Sequence, residues 1–215
     1  MSSPASPARG RPPRLDRART LRTALDLLDR SGLDALTMRR LADAMDVQAG
    51  ALYRYFATKQ DLLTAMAERM MDGVADAAAG SGDWSEQLAA LARAMRTALL
   101  AHRDGARVFA GTHSTGENTL GFADAVVGVM RAAGFPDDDA ARALHTTVNF
   151  TVGHTLEEQA ALQPGSSSPD VLAGAVAAGA YPHLAASLPA LTSTDFTRHF
   201  EFGLAVLIAG LRARR

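Results

Sequence analysis

Apolar residues recur at spacings of three and four along almost the whole chain, a pattern that predicts helices. Leu21, Leu25 and Leu28 predict a first helix over about residues 15–31, closed by Ser31-Gly32 as a glycine cap. A second begins at Thr37, whose hydroxyl can accept a backbone N–H while Leu36 and Leu41 staple the turn. It carries Leu41, Ala42 and Met45 inward and breaks near Asp46-Val47, and a short third helix takes up Ala49 to Phe56. Ala42, Gly50 and Ala51 are small enough to let the two pack closely. Leu62, Leu63, Met66, Met70 and Val74 then predict a connector helix from Lys59 to about Ala79.

Beyond it, Gly80-Ser81-Gly82-Asp83 breaks the pattern, which resumes from Trp84 to about Ala101 with Leu88, Leu91, Met95 and Leu99 on one face. A loop at His102-Arg103-Asp104-Gly105 precedes helical stretches near Leu120 to Ala133 and from about Asp137 to Leu162. Gln163-Pro164-Gly165-Ser166-Ser167-Ser168-Pro169 is a flexible break. A final helix, about Thr194 to Arg212, places Phe196, Phe200, Leu204, Leu207, Ile208 and Leu211 along one side. That stripe either covers its own core or, paired with the 137–162 helix, forms half of a four-helix dimer seam. The seam is favoured, because a helix-turn-helix head reads two half-sites and two-fold contacts are the commonest oligomer solution. No internal repeat is present. The expected fold is all-α, with an N-terminal three-helix helix-turn-helix head over 15–60 and a larger helical ligand-binding and dimerisation body over 61–215.

Charge sharpens this picture. The net value of −1 conceals a basic head on an acidic body: residues 1–60 hold eleven Lys+Arg against six Asp+Glu, which leaves −6 for residues 61–215. A positive end of this kind suits nucleic acid, since phosphate contacts release condensed counterions and supply sequence-independent affinity. The first fourteen residues, rich in Pro, Ser and Arg, are expected to be disordered, with Arg9, Arg11 and Arg14 either following a groove or simply keeping the tail soluble. At 215 residues and 47% hydrophobic content the chain can bury a core large enough for head and body. It has no cysteine, which excludes disulfides and thiolate metal sites. No apolar run is long enough to span a membrane and no secretion signal is legible, so a cytoplasmic protein is expected.

Two helices joined by a short turn, the second exposing its N-terminal edge, place side chains in a DNA major groove. Gln48, Tyr53 and Arg54 fall on or near that edge, Arg39 adds a guanidinium fork suited to guanine or phosphate, and Lys59 opens the next helix where a phosphate can rest. An ordinary helical hairpin with a solvated basic face has the same local pattern; the charge asymmetry coinciding with it favours DNA.

The run Thr37-Met38-Arg39-Arg40-Leu41-Ala42 through Leu52-Tyr53-Arg54-Tyr55-Phe56 and Lys59 resembles the DNA-binding head of the tetracycline repressor (TetR) family, over roughly residues 15–62. The body is similar, less strongly, to the tetracycline repressors at Leu99 to Val108, Gly111-Thr112, Phe150-Thr151-Val152-Gly153 and Leu156-Glu157-Glu158-Gln159. The resemblance implies a homodimer whose heads bind a palindromic double-stranded DNA operator and release it when a small molecule enters the body. It also implies DNA contacts from Thr37, Arg39, Gln48, Tyr53, Tyr55 and Lys59. Ala49 departs from the family pattern, and its methyl offers only apolar contact, as to a thymine methyl. Where tetracycline repressors hold a magnesium-chelated drug with a histidine two residues before the Gly-Thr pair, this chain has Phe109, and His113 stands where they have an arginine. Thr112 and Glu157 alone make a poor clamp for a hard cation. The expected effector is therefore more apolar, with Met95, Phe109, Thr112, His113, Phe150 and Glu157 as candidate pocket residues, although side chains such as Met95, Phe109 and Phe150 are more often plain core. Neither a resident metal nor a cofactor is expected.

Two other function classes compete. An enzyme using the body pocket is disfavoured, since the six histidines are scattered and no nucleophile elbow, Walker loop, dinucleotide fingerprint or HExxH run occurs. His154 with Glu157 or Glu158 has helical metal-ligand spacing, but two side chains do not make a site. A non-specific architectural DNA binder needs basic surface beyond the head, which the acidic body does not offer.

Overall fold

The computed structural model describes residues 16–80, 82–163 and 169–215; the basic arm expected over 1–14 and most of the break after Gln163 lie outside these. Among the described residues every regular element is a helix.

The head starts with α1 (Arg17–Ser31), whose Asp16 cap accepts from the Arg19 N–H at 2.6 Å and which ends at Gly32. Gly32 has φ +78, and its N–H returns to the Leu28 carbonyl at 2.8 Å. α2 (Met38–Met45) begins where the sequence places it, with Thr37 accepting from the Arg40 N–H at 3.1 Å. α3 spans only Ala49–Leu52, not the expected run to Phe56. The Tyr55 and Phe56 N–H groups both reach the Leu52 carbonyl, at 2.9 and 3.0 Å, which tightens the last turn and carries Phe56 into the core. Thr58 must then be extended to close its capping box with Asp61 at the start of α4 (Lys59–Met70), so the two helices cannot run together.

The connector is likewise shorter than its stripe. Gly73, at φ +74, ends it soon after Met70, and the chain continues as a 3-10 turn over Val74–Ala78. Val74 stays buried, so the apolar pattern carries on through the break.

In the body, α5 (Trp84–Leu100), α7 (Glu117–Ala132) and α8 (Asp137–Ala161) match the expected stretches. Between α5 and α7 lies α6 (Gly105–Ala110), too short to show periodicity. It starts from Asp104 at φ +57, and Gly105 passes so close to the Leu99 carbonyl that a Cβ would sit 2.2 Å from its oxygen. α9 (Pro169–Ala178) and α10 (Pro182–Leu191) fill a segment the pattern left unassigned, and α11 (Phe196–Arg212) ends the chain. α5 and α8 form the centre: α5 packs on α6, α7, α8 and the 3-10 turn, and α8 on α6, α7 and α11. α4 runs alongside α6 and α7, so buried residues form one continuous cluster from Leu21 in the head to Val152 in the body. On the α11 stripe Phe200 and Leu204 pack inward against Ala89 and Ala92 of α5, so this part of it covers its own core, while Phe196, Leu207, Ile208 and Leu211 are half-buried. What α11 leaves outward is a different face, carrying Phe202 at 73% exposure and Val206 at 57%. Among the described residues no helix is long and apolar enough to cross a membrane.

Candidate nucleic-acid interface and the cavity behind it

Leu36, Leu41, Leu52 and Phe56 anchor the head from inside and leave the polar side chains of α2, α3 and the α4 N-terminus outside. Thr37, Arg39, Gln48, Tyr53, Arg54, Tyr55 and Lys59 are all exposed, and Ala49 is half-buried. Thr37 spends its hydroxyl on the α2 cap, whereas Gln48, in the cap position of α3, makes no capping bond and keeps its amide for other partners. Arg40 is structural: it donates to the Ala35 carbonyl at 3.0 Å, tying α2 to the preceding loop. The Arg17 guanidinium lies 5.3 Å from the Phe56 ring centre, a cation–π contact that brings the start of α1 onto the turn after α3. The result is a rigid surface presenting two guanidinium groups, one ammonium, one amide and two phenols, which is the chemistry that reads base edges and phosphates.

Behind the head, a cavity of about 410 Å³ lies between the end of α6 and α8. Phe109, Thr112 and His113 meet there, as three of the six candidate pocket residues. The other three lie elsewhere: Met95 is fully buried in the main core, Phe150 stacks on Phe200 at 5.2 Å, and Glu157 is exposed outside the lining. The opposite wall is Val148, Asn149, Val152, Gly153 and Leu156 of α8, none of which the sequence reading selected. Their three-and-four spacing was legible, but α8 buries residues on more than one face and nothing local says which face lines a cavity. The walls are apolar, and the polar groups among them are a hydroxyl, an imidazole and an amide, with no carboxylate or guanidinium. Such a donor set suits a largely apolar organic ligand and does not suit a magnesium chelate, which needs several convergent oxygens.

The loop at the cavity rim is bonded to the connector at two points. Near the start of α4, the Gln60 amide donates to the Gly111 carbonyl at 2.7 Å. Further along, the Glu68 carboxylate accepts from Ser114 Oγ at 2.8 Å, from Thr119 Oγ1 at 2.7 Å and from the Thr119 N–H at 3.2 Å, with a fourth bond from the Asn118 N–H. It thereby caps α7, a helix it does not belong to. Burial pushes the Glu68 carboxyl up, but the bonds from Thr119, Ser114 and Asn118 outweigh burial and hold it below the usual carboxylate range. The other end of α6 is tied to the head as well. Asp104, nearly fully buried, accepts from the Leu33 N–H at 2.8 Å and from the Gln163 amide at 3.0 Å, and Arg107 pairs with Asp34 at 3.0 Å. Arg107 accordingly holds the Asp34 carboxyl below its ordinary value.

On the far side of α8, Arg96 and Glu158 form a two-pronged ion pair at 3.0 and 2.9 Å. His154 sits beside it, edge-on to Phe200 at 5.2 Å, with its buried Nδ1 lacking a hydrogen-bond partner. Burial lowers the His154 pKa from its ordinary 6.5; Glu158 opposes the shift, while Arg96 and His199 add to it. The folded state therefore takes up a proton less readily than the unfolded chain, so stability falls as pH drops below about 6.5. Thermal melts between neutral pH and pH about 5.5 should show this decline in the wild type and a smaller one in His154→Phe. Parallel declines in the two proteins would remove His154 as the cause.

Comparisons with known proteins cover most of the chain. The family described as "Bacterial regulatory proteins, tetR family" matches residues 21–66, and "Tetracyclin repressor-like, C-terminal domain" matches residues 76–215. The chain is 42% identical over 198 residues to the tetracycline repressor protein class A from transposon 1721 of Escherichia coli, covering 91% of this chain and 89% of that one. Among solved structures, a possible TetR family transcriptional regulator from Streptomyces coelicolor A3(2) superposes with a TM-score of 0.90 at 75% identity, covering 93% of this chain and all of that one. The Streptomyces coelicolor TetR family protein ActR in complex with actinorhodin gives 0.83 at 32% identity, covering 93% and 98%.

Proposed function

The chain belongs to the tetR family of bacterial regulatory proteins and is a ligand-responsive DNA-binding transcriptional repressor; from that premise we propose that two copies read a palindromic operator and that a largely apolar small molecule held between α6 and α8 releases it. The observation that carries this reading is the pair of bonds from the cavity-rim loop to α4, at Gln60 and Glu68. A ligand pressing on Thr112 or His113 acts on the helix that carries the head. It shifts the balance between DNA-competent and released dimers by its difference in affinity for the two, so no large motion is needed. The outward apolar face of α11, with Phe202 and Val206, supports pairing with a second copy. The ActR structure with actinorhodin supports an organic effector for a body of this shape. No chemistry on a substrate is part of this role.

Thr37, Arg39, Gln48, Ala49, Tyr53, Arg54, Tyr55 and Lys59 make the DNA face in this reading. Selection of genomic fragments by the purified protein at physiological salt should recover a few palindromic sites. On such a site Arg39→Ala should cost about 1 to 3 kcal/mol, while Lys59→Ala should weaken specific and random DNA alike and flatten the salt dependence. Recovery of no preferred sequence, or equal losses on specific and random DNA for both variants, would count against base reading and for an architectural role. Calorimetry with tetracycline should show no tight binding that depends on magnesium; tight magnesium-dependent binding would overturn the apolar assignment.

A further inference from the structure

We propose that the open cleft between α1, the end of α4 and the end of α5 is a second small-molecule site, suited to an organic anion with one negative charge and an apolar body. The cleft has a volume of about 630 Å³ and shares no lining residue with the α6–α8 cavity. Its size lies within the usual range for ligand sites. Arg19 and Arg22 enter it from α1, three residues apart and so on one side of the helix, and Arg69 enters from α4. Guanidinium forks of this kind match the planar oxygens of a carboxylate or the oxygens of a sulfonate or phosphate ester. The lining also includes Leu25, Met70, Ala98 and Ala101, apolar side chains against which a hydrocarbon body can rest.

The acidic residues of the cleft decide the charge of its occupant. Arg69 is paired with Asp72, which neutralises one guanidinium. Arg19, Arg22 and Arg69 with Asp26 and Asp72 give the lining a formal balance of one positive charge. Among the described residues no ion pair engages Arg22, an exposed side chain. His102, at the cleft margin, is occupied with Asp29 at 3.1 Å. A polyanion would meet Asp26 and Asp72, and a neutral ligand would leave the arginine charge uncompensated. The monoanion is the class that satisfies both. Because α1 belongs to the head and α5 to the body, one occupant touches both sides of the joint on which DNA binding depends.

The test is calorimetry on the full chain at low salt with naphthalene-2-sulfonate, a rigid aromatic monoanion, and its neutral analogue naphthalene-2-sulfonamide. The sulfonate should bind once per chain and the sulfonamide at least about tenfold more weakly, since the hydrogen bonds to charge are lost. Arg22→Gln should weaken the sulfonate by about tenfold while leaving the melting temperature unchanged, because the side chain is exposed. Val148→Trp, which fills the α6–α8 cavity, should leave sulfonate binding unchanged. Equal binding of sulfonate and sulfonamide, loss of binding in Val148→Trp, or an Arg22→Gln variant that binds the sulfonate normally would each overturn the proposal. Loss of DNA affinity without loss of sulfonate affinity in Arg22→Gln would reassign that arginine to the DNA phosphates. None of these results depends on whether the α6–α8 cavity holds the effector.

Discussion

Glu158→Ala should lower folding stability by about 3 kcal/mol, at the low end of what removing one partner of a buried ion pair costs. The Arg96 and Glu158 side chains are only 13% and 10% exposed, so the surviving guanidinium stays largely out of water without its counter-charge. Its remaining contacts are weak substitutes: the Thr197 hydroxyl at 3.4 Å and the Phe200 ring at 5.1 Å. His154 loses its one acidic neighbour as well, so the variant should lose further stability on acidification. Urea unfolding at neutral pH measures the effect. Arg96→Met combined with Glu158→Leu should recover most of the loss, because the cost comes from the orphaned charge and not from an indispensable attraction. The contrasting pair is Arg93 with Glu201, on α5 and α11, whose side chains are 52% and 39% exposed. Despite two short hydrogen bonds, Glu201→Ala should cost less than about 1 kcal/mol, since exposed pairs are screened by water. Similar losses in the two variants would mean that burial does not set the scale here.

Glu68→Ala should remove most of the effector response while sparing effector binding. Allosteric coupling is typically a five- to 150-fold change in affinity, and without the Glu68 cap the effector should change operator affinity by less than about threefold. The reason is geometric. Among the described residues the Glu68 carboxylate hydrogen-bonds to none of the DNA face and none of the cavity lining, yet it joins α4 to Ser114, Asn118 and Thr119, just past the rim residue His113. Gly116 belongs to the same arrangement, since a Cβ there would lie 2.3 Å from the Glu68 carboxyl carbon. The charge state is right for this role at neutral pH: the folded carboxyl titrates below its ordinary 4.5, so the bonds are intact above that value and are lost as pH falls through the lowered one. Operator affinity with and without an effector found by screening for operator release measures the coupling. Amide hydrogen exchange gives an independent check, because the Asn118 and Thr119 N–H groups lose their acceptor and should exchange faster. Full response in Glu68→Ala, with those amides exposed, would place the transmission elsewhere, at Gln60 or at the Asp104 end of α6.

Much of the head was readable because its signals are local. Thr37 caps the helix that begins beside it, Gly32 closes the one before, and Leu41 and Met45 point inward by spacing alone. The errors have the same origin. The stripe through Val74 predicted one long connector, but Gly73 turns the chain and a buried side chain after the turn still fits the pattern. The α3 reading overran because Phe56 is buried by a tightened turn, which helical periodicity does not distinguish from another residue of helix.

The sequence by itself determined the all-helical class, the main helix starts and the basic head on an acidic body, because caps, periodicity and charge act between residues close in the chain; the family was legible through the resemblance of its motifs. Only the tertiary structure decided which faces meet. Periodicity says that α11 buries one side but not that this side covers its own α5, leaving Phe202 and Val206 outward. It marks residues 137–162 as helix but does not choose Val148, Val152 and Leu156 as cavity wall while turning Phe150 toward Phe200. Glu68 reads as an ordinary polar helix position, and its partners lie about fifty residues further along. Such contacts are set by how helices pack against one another, and the free energy of that packing belongs to the assembled core, where each choice of face depends on all the others.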